Sequence, residues 1–160
     1  MSSIFTVIGN ACTDFTASVD DDFLMRHDLP KGLCRFITDS ALLAPIKSQM
    51  GSYQSIPGGA GANVAHVMSA LGQPANFISK IGTDDEGAKF KKHMEENGVV
   101  CSFPIADKDK GTCQVLTLIT PDSERTFVSF DDVASTLSAD VYDFDLLSKT
   151  DFLYLDGYCF

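Results

Sequence analysis

Two short clusters in this sequence carry side chains that could grip a polyol. The first is "GNACTD", residues 9–14, where Asn10 and Asp14 follow an apolar run. An ionised aspartate only accepts hydrogen bonds, and it can take two from vicinal hydroxyls. The second is "SIPGGAGANVAHVMSALG", residues 55–72, where glycines and alanines lead into a helix with Asn63 in its first turn. Small residues let a ligand lie against backbone N–H groups at a helix start, and the Asn63 amide could reach a hydroxyl. Each cluster also has a plainer reading. Asp14 can simply form a turn, and the glycine run can be small residues packed under a neighbouring strand. Together the clusters look more like a sugar pocket than either does alone.

Other chemistries of a glycine loop fit less well. A dinucleotide fingerprint needs G-x-G-x-x-G directly after a buried strand. Gly59 and Gly61 supply two glycines, but Val64 stands in the third place and the preceding "SYQSIP" is polar. No Gly-Lys-Ser/Thr follows, so a Walker loop is absent. The cysteines Cys12, Cys34, Cys101, Cys113 and Cys159 are scattered, with no zinc-like spacing. Their odd number and spread fit a reducing, cytoplasmic setting.

These residues need elements to hold them. "IFTVIGN" reads as a buried strand, "FTASV" as a short one, and "DDDFLMRHDL" as a short helix with acidic residues in its first turn. "LCRFIT" reads as a strand, and "DSALLAPIKSQMG" as a helix interrupted near Pro45. Val64, Val67, Met68 and Leu71 follow helical spacing and Gly72 stops the helix. "ANFISKIG" is a strand. Thr83 and Glu86 fit a capping box that opens a helix running to about Asn97, stopped by Gly98. "CQVLTLIT" and "ERTFVSF" flank "PDS" as a hairpin, "DFDLLSK" is a short helix and "DFLYLDGY" a last strand. The alternation predicts an α/β fold with a mostly parallel sheet and helices on both faces. The short strands near 15–19, 32–37 and 52–56, with part of 113–130, are expected to form a small separate sheet. Ligands of open α/β sheets bind at the carboxyl ends of strands, where Asn10 and Asp14 fall.

Composition narrows the partners. With 12 basic against 22 acidic residues the net charge is −10, a surface that repels nucleic-acid phosphates and anionic lipid. Apolar residues make up 44% of the 160, enough for a real core. No apolar run reaches membrane-spanning length, and the N-terminus has no basic region before its apolar stretch.

The stretch "GGAGANVAHVMSALGQPANFISKIGTDDEGAKFKKHMEENGV" resembles the N-terminal signature of the ribokinase family, the PfkB carbohydrate kinases. "GTCQVLTLITPDSERTF" and "FLYLDGY" fit the segments that follow, and "GNACTDFTASVDDDFLMRHDLPKG" looks most like the adenosine-kinase branch. The resemblance covers nearly the whole chain. It implies one ribokinase-like domain with a small β-sheet lid, of which residues 1–160 form the N-terminal part. It also implies transfer of the ATP γ-phosphate to a primary hydroxyl of a sugar or nucleoside. By motif, Asn10 and Asp14 would hold ribose hydroxyls, and Gly58, Gly59 and Asn63 would line the same sugar. Arg125 would stabilise the transferring phosphate. Cys34, Phe36 and Phe127 would be lid or pocket residues around a base, or ordinary lid packing. A homodimer through the lid is a further implication.

The chain also departs from the family pattern. The Asp-Thr-x-Gly-Ala-Gly-Asp motif, whose last aspartate is the catalytic base, does not occur, nor does the acidic magnesium motif. ATP and Mg²⁺ are therefore expected to bind mainly outside this segment, which should be inactive alone. The expected function is the acceptor-binding half of a sugar or nucleoside kinase. A non-catalytic ligand-binding or assembly module using the same pocket is the alternative.

Overall fold

The structure is a computed structural model that describes residues 3–103 and 109–159. In chain order its main elements are β1 (Phe5–Ile8), β2 (Cys12–Ser18), α1 (Asp21–Arg26), β3 (Cys34–Ile37), α2 (Ser40–Gln49), β4 (Gln54–Gly58) and α3 (Ala60–Ala70). They continue with β5 (Ala75–Ile78), α4 (Asp85–Glu96), β6 (Val99–Ser102), β7 (Cys113–Ile119), β8 (Arg125–Phe130), α5 (Phe144–Leu147) and β9 (Phe152–Leu155). The chain divides into two compact units. One comprises residues up to Cys12, Pro57–Cys113 and those from Asp132 on; the other comprises Thr13–Ile56 and Gln114–Asp131. No helix among the described residues is long and apolar enough to cross a membrane.

The first unit is an α/β layer. Its sheet has the order β6-β5-β1-β9, and every pairing in it is parallel. Side chains alternate across a strand, so Val7 and Phe77 share one face. There they pack with Ala62 and Ala65 of α3 and Phe90 and Met94 of α4. Phe90 is fully buried, a burial that stabilises by about 1.5–3 kcal/mol. On the opposite face Thr6 accepts from the Asn76 amide at 3.2 Å and shares a 2.6 Å hydrogen bond with Thr150, just past α5. The parallel sheet is thus flanked by helical segments on both faces. β6, unforeseen in the sequence, is only four residues long; its signal was the Val99–Val100 pair after the Gly98 stop.

The second unit is built on a five-stranded sheet of order β3-β8-β7-β2-β4. β7 and β8 form the expected antiparallel hairpin, and β3 pairs parallel to β8. Phe15 and Ala17 of β2, Ile37 of β3, Leu116 and Leu118 of β7, and Val128 and Phe130 of β8 form one apolar face. It is covered by Phe23 and Leu24 of α1 and by Leu43 and Ile46 of α2. The Lys47 ammonium sits 3.4 Å from the Phe15 ring centre and donates to Gln114 at 2.9 Å. α2 corrects the expected break: it runs unbroken through Pro45. Proline removes one helical hydrogen bond, to the carbonyl four residues back. Ala41 and Pro45 are both exposed, so that carbonyl meets water, while Leu43 and Ile46 anchor the helix on either side of the lesion.

Lys31 bridges Asp21 and Asp122, each at 2.7 Å. The Lys31 ammonium, helped by the Thr120 hydroxyl, holds the Asp122 carboxyl well below the usual carboxylate range. A depressed carboxyl adds stability above its unfolded pKa, and that stability is lost as pH falls towards the folded value. Asp122→Asn should therefore melt below the wild type at neutral pH, and the gap should begin to close as pH drops below about 4 and go on closing towards the folded value. A constant gap across a pH series of melts would contradict this. The pair is exposed, so the gap is expected to be small.

Candidate functional site

The glycine loop is explained first by packing. Gly59 precedes α3 with φ 101, a conformation that favours glycine, and a Cβ there would lie 2.5 Å from the Asn10 carbonyl oxygen. A Cβ on Gly61 would lie 3.2 Å from the Cα of Gly9. Backbone meets backbone where the end of β1 touches the start of α3, and only residues without side chains fit. The same packing sets the polar groups of this unit close to one another in the fold. Asn10 is half-buried; its amide donates to the Tyr158 carbonyl at 3.4 Å and its side-chain oxygen accepts from the Cys159 thiol at 3.7 Å. Gly58 is buried at the end of β4. Asn63 is exposed on the first turn of α3, with no side-chain hydrogen bond among the described residues.

One residue of this region escaped the sequence reading. Asp156, the residue after β9, is 3% exposed. Its carboxylate accepts the Gly61 N–H at 3.0 Å and the Tyr158 N–H at 3.2 Å. The only sequence signal was an acidic residue ending the apolar run "FLYL".

The remaining candidates lie in the second unit. Alternation along β2 turns Asp14 away from the apolar face that Phe15 and Ala17 enter. By the same rule Cys34 and Phe36 of β3, and Arg125 and Phe127 of β8, lie opposite Ile37, Val128 and Phe130. Five candidates thus share the outer face of one sheet. They do not share one spot. Cys34 and Phe127 are register partners across β3 and β8. Asp14 lies near the start of β2, whose Cys12 is beside Cys113, whereas Arg125 pairs with Ile119 at the far end of β7. Those two ends of β7 are about 20 Å apart at 3.4 Å per residue.

The electrostatics of that face single out Asp14. It is half-buried and makes no hydrogen bond or ion pair with any described residue, and burial pushes its carboxyl above the ordinary range. The Cys34 thiol is raised by burial and by the neighbouring Asp131 charge, so it is a poor nucleophile. Phe36 is 64% exposed, and the Arg125 guanidinium has no partner among the described residues. A cleft of about 390 Å³ lined by Thr16, Ala17, Ser18, Ser52, Tyr53 and Gln54 opens along the strand that carries Asp14.

Two further features correct the sequence reading. Cys12 and Cys113, 101 residues apart, are joined as a disulfide, leaving Cys34, Cys101 and Cys159 free. The second concerns "IGTDDEG". Its helix is capped by Asp84, not by a box of Thr83 and Glu86. Asp84 accepts the Gly87 N–H at 2.9 Å, the Thr112 hydroxyl at 2.6 Å and the Thr112 N–H at 2.9 Å. Glu86 instead pairs with Lys89 at 2.9 Å. A Cβ on Gly82 would strike Lys110, Gly111 and Thr112 at 2.7–2.9 Å. The motif is a clamp on the segment entering β7, so Gly82→Ala should cost about 1–3 kcal/mol by overpacking, read as a lower denaturant midpoint.

Among the described residues no group of three His, Cys, Asp or Glu side chains could hold a metal ion. At the start of α3 the Gly61 N–H is already engaged by the Asp156 carboxylate.

Residues 33–160 match the family model described as pfkB family carbohydrate kinase, a match that begins after Asn10 and Asp14. Aminoimidazole riboside kinase of Salmonella typhimurium is 34% identical over 82 residues, which is 51% of this chain and 26% of that protein. Fructokinase-1 of Zea mays is 30% identical over 100 residues, covering 61% of this chain and 31% of the relative. Adenosine kinase of Sinorhizobium meliloti superposes with a TM-score of 0.83 at 26% identity, covering 98% of this chain and 47% of that one. The Schistosoma mansoni adenosine kinase in complex with 2-fluoroadenosine shares the fold at a TM-score of 0.86 and 21% identity, over 99% of this chain and 48% of its own. The chain spans less than a third of the curated relatives it matches and about half of these solved structures. With the family match running over most of its length and the fold shared over nearly all of it, this chain belongs to the pfkB family of carbohydrate kinases.

Proposed function

We propose that residues 1–160 are the acceptor-binding part of an ATP-dependent kinase that phosphorylates a primary hydroxyl of a sugar or nucleoside. The observation that carries this reading is Asp14, a half-buried carboxylate on the outer sheet face with no hydrogen-bond or ion-pair partner among the described residues. Desolvating a carboxylate without hydrogen bonds costs free energy, so a fold that keeps one gains from a ligand that supplies donors. Vicinal hydroxyls supply two. The named activities of the relatives, riboside and fructose kinases by sequence and adenosine kinases by fold, all act on acceptors with such hydroxyls.

In this reading Asp14 orients the acceptor by accepting from two hydroxyls, with Asn10 and Asn63 as amide partners and Gly58 and Gly59 as the floor. Cys34, Phe36 and Phe127 offer an apolar strip for a base or for the lid's own packing. The five-stranded sheet serves as the lid, with a homodimer through it as a further part of the reading. Arg125, towards the far end of that face from Asp14, is assigned by motif alone as the cation for the charge that develops on the transferring phosphoryl group, and it is not part of the Asp14 grip. The base, the nucleotide and Mg²⁺ belong to the part of the kinase fold outside this segment. Phosphoryl transfer needs all of these in place, so purified residues 1–160 should show no ATP-dependent phosphorylation of adenosine, ribose or fructose. Turnover by that segment would sink the assignment of roles.

The coverage of about half of each solved relative also admits a binding module without turnover. Isothermal titration with the same three acceptors separates the two: binding without phosphorylation in the full protein favours the module. The segment 1–160 is also expected to self-associate. β9 lies at a sheet edge, and Phe152, Leu153, Tyr154 and Leu155 are all exposed. An apolar open edge invites strand pairing between chains. Size-exclusion chromatography should show species larger than a 17.3 kDa monomer.

A further inference from the structure

We infer that Asp156 is a positioning residue that fixes the start of α3 against the end of β1, and so sets the geometry of the proposed acceptor loop. Its carboxylate is buried and has no cationic partner among the described ion pairs. Two backbone amides satisfy it instead: Gly61 on α3 at 3.0 Å and Tyr158 at 3.2 Å. The first turn of a helix presents unpaired N–H groups and a partial positive charge, which together stabilise a carboxylate held there. The Asp156 backbone is itself held to the first strand, its N–H donating to the Ile8 carbonyl at 2.9 Å. One residue therefore ties β1 to α3 from both its main chain and its side chain.

The glycines show how closely this junction is fitted. A Cβ on Gly9 would lie 3.1 Å from the Gly61 Cα and 3.2 Å from the Asp156 Cβ. A Cβ on Gly61 would lie 3.4 Å from the Asp156 carboxylate oxygen. Asn10 adjoins Gly9 in sequence, and Gly59 and Asn63 each lie two residues from Gly61. A shift of the Gly61 N–H away from Asp156 thus moves the proposed acceptor groups of this unit relative to one another. Asp156 acts through Gly61, and it is not a ligand of the acceptor: at 3% exposure its oxygens face the amides. The function ascribed to the loop rests on the kinase reading; the Asp156–Gly61 tie does not.

The test uses the full protein, of which residues 1–160 are a part, with Asp156→Ala and Asp156→Asn. Amide hydrogen exchange is followed at Gly61 and, as a remote reference, at Phe90 within α4. In Asp156→Ala the Gly61 amide should exchange at least tenfold faster while Phe90 stays unchanged. Asparagine keeps one carbonyl oxygen for Gly61 but turns a donor towards Tyr158, so Asp156→Asn should retain part of the protection. If the alanine variant does not fold, the asparagine variant carries the same comparison. Unchanged exchange at Gly61, or an equal loss at Gly61 and Phe90, overturns the inference. With adenosine, ribose or fructose as acceptor, whichever the full protein phosphorylates, the acceptor KM should rise about tenfold and the ATP KM should hold. Should the wild type phosphorylate none of the three, the kinase reading fails while the exchange comparison still decides the role of Asp156.

Discussion

The Gly59→Val chain is expected to melt far below the wild type, by about 5–20 °C for a domain of this size. Gly59 holds φ at 101, and a β-branched residue is strained there by about 1–3 kcal/mol. The added Cβ would also sit 2.5 Å from the Asn10 carbonyl oxygen, and relieving such overpacking costs about another 1–3 kcal/mol. Gly72→Val is the control. Gly72 has φ 82 but nothing within 4 Å of its would-be Cβ, so it carries the conformational strain without the collision. Circular dichroism melts should rank the wild type above Gly72→Val and Gly72→Val above Gly59→Val. A Gly59→Val chain that melts with the wild type, yet no longer binds adenosine, ribose or fructose, would mean that the loop is bare for the ligand alone.

Asp14→Asn should do the opposite: leave or improve the stability of the free protein while removing its grip on the acceptor. Burial raises the Asp14 carboxyl and nothing described in the protein offsets it. A raised carboxyl costs stability above its unfolded pKa and costs nothing below it. The variant should therefore melt at or above the wild type near neutral pH, and the difference should vanish below about pH 4. Acceptor affinity should move the other way. A hydrogen bond to a charged group contributes about 1.5–3 kcal/mol, so losing one weakens the complex about ten- to a hundredfold. ATP affinity should hold. Calorimetric titration beside melting curves reads both, and a destabilised variant with unchanged acceptor binding would make Asp14 a structural residue.

Asp14 shows both how far the sequence reaches and where it stops. A polar residue just after an apolar strand could be named as a hydroxyl ligand or as a turn former, and nothing local separates the two. The fold removes the turn reading, because β2 runs on through Asp14 to Ser18. The residue lies inside a strand, with its neighbour Phe15 in the core. The hairpin of β7 and β8 was legible because its signals lie within the few residues of the turn. The helix over 85–96 was legible for the same reason, but its cap was not. Thr83 and Glu86 match the local pattern, yet Asp84 also binds Thr112, 28 positions on, and that second partner decides which side chain faces the helix start.

The sequence by itself determined the alternation of strands and helices, the acidic composition and the family signature. All of these rest on interactions within a turn or on residue type alone. Tertiary structure alone decided that α2 passes through Pro45, that Cys12 meets Cys113 across 101 positions, and that Asp156 closes on Gly61 across 95. It also decided that Asp14, Cys34, Phe36, Arg125 and Phe127 share one sheet face. The physical reason is the same in each case. A side chain's neighbours along the chain set which local conformations are cheap, but its burial and its hydrogen-bond partners are set by segments that sequence distance does not order. A carboxylate such as Asp156 takes its role from whichever amide the fold brings to it.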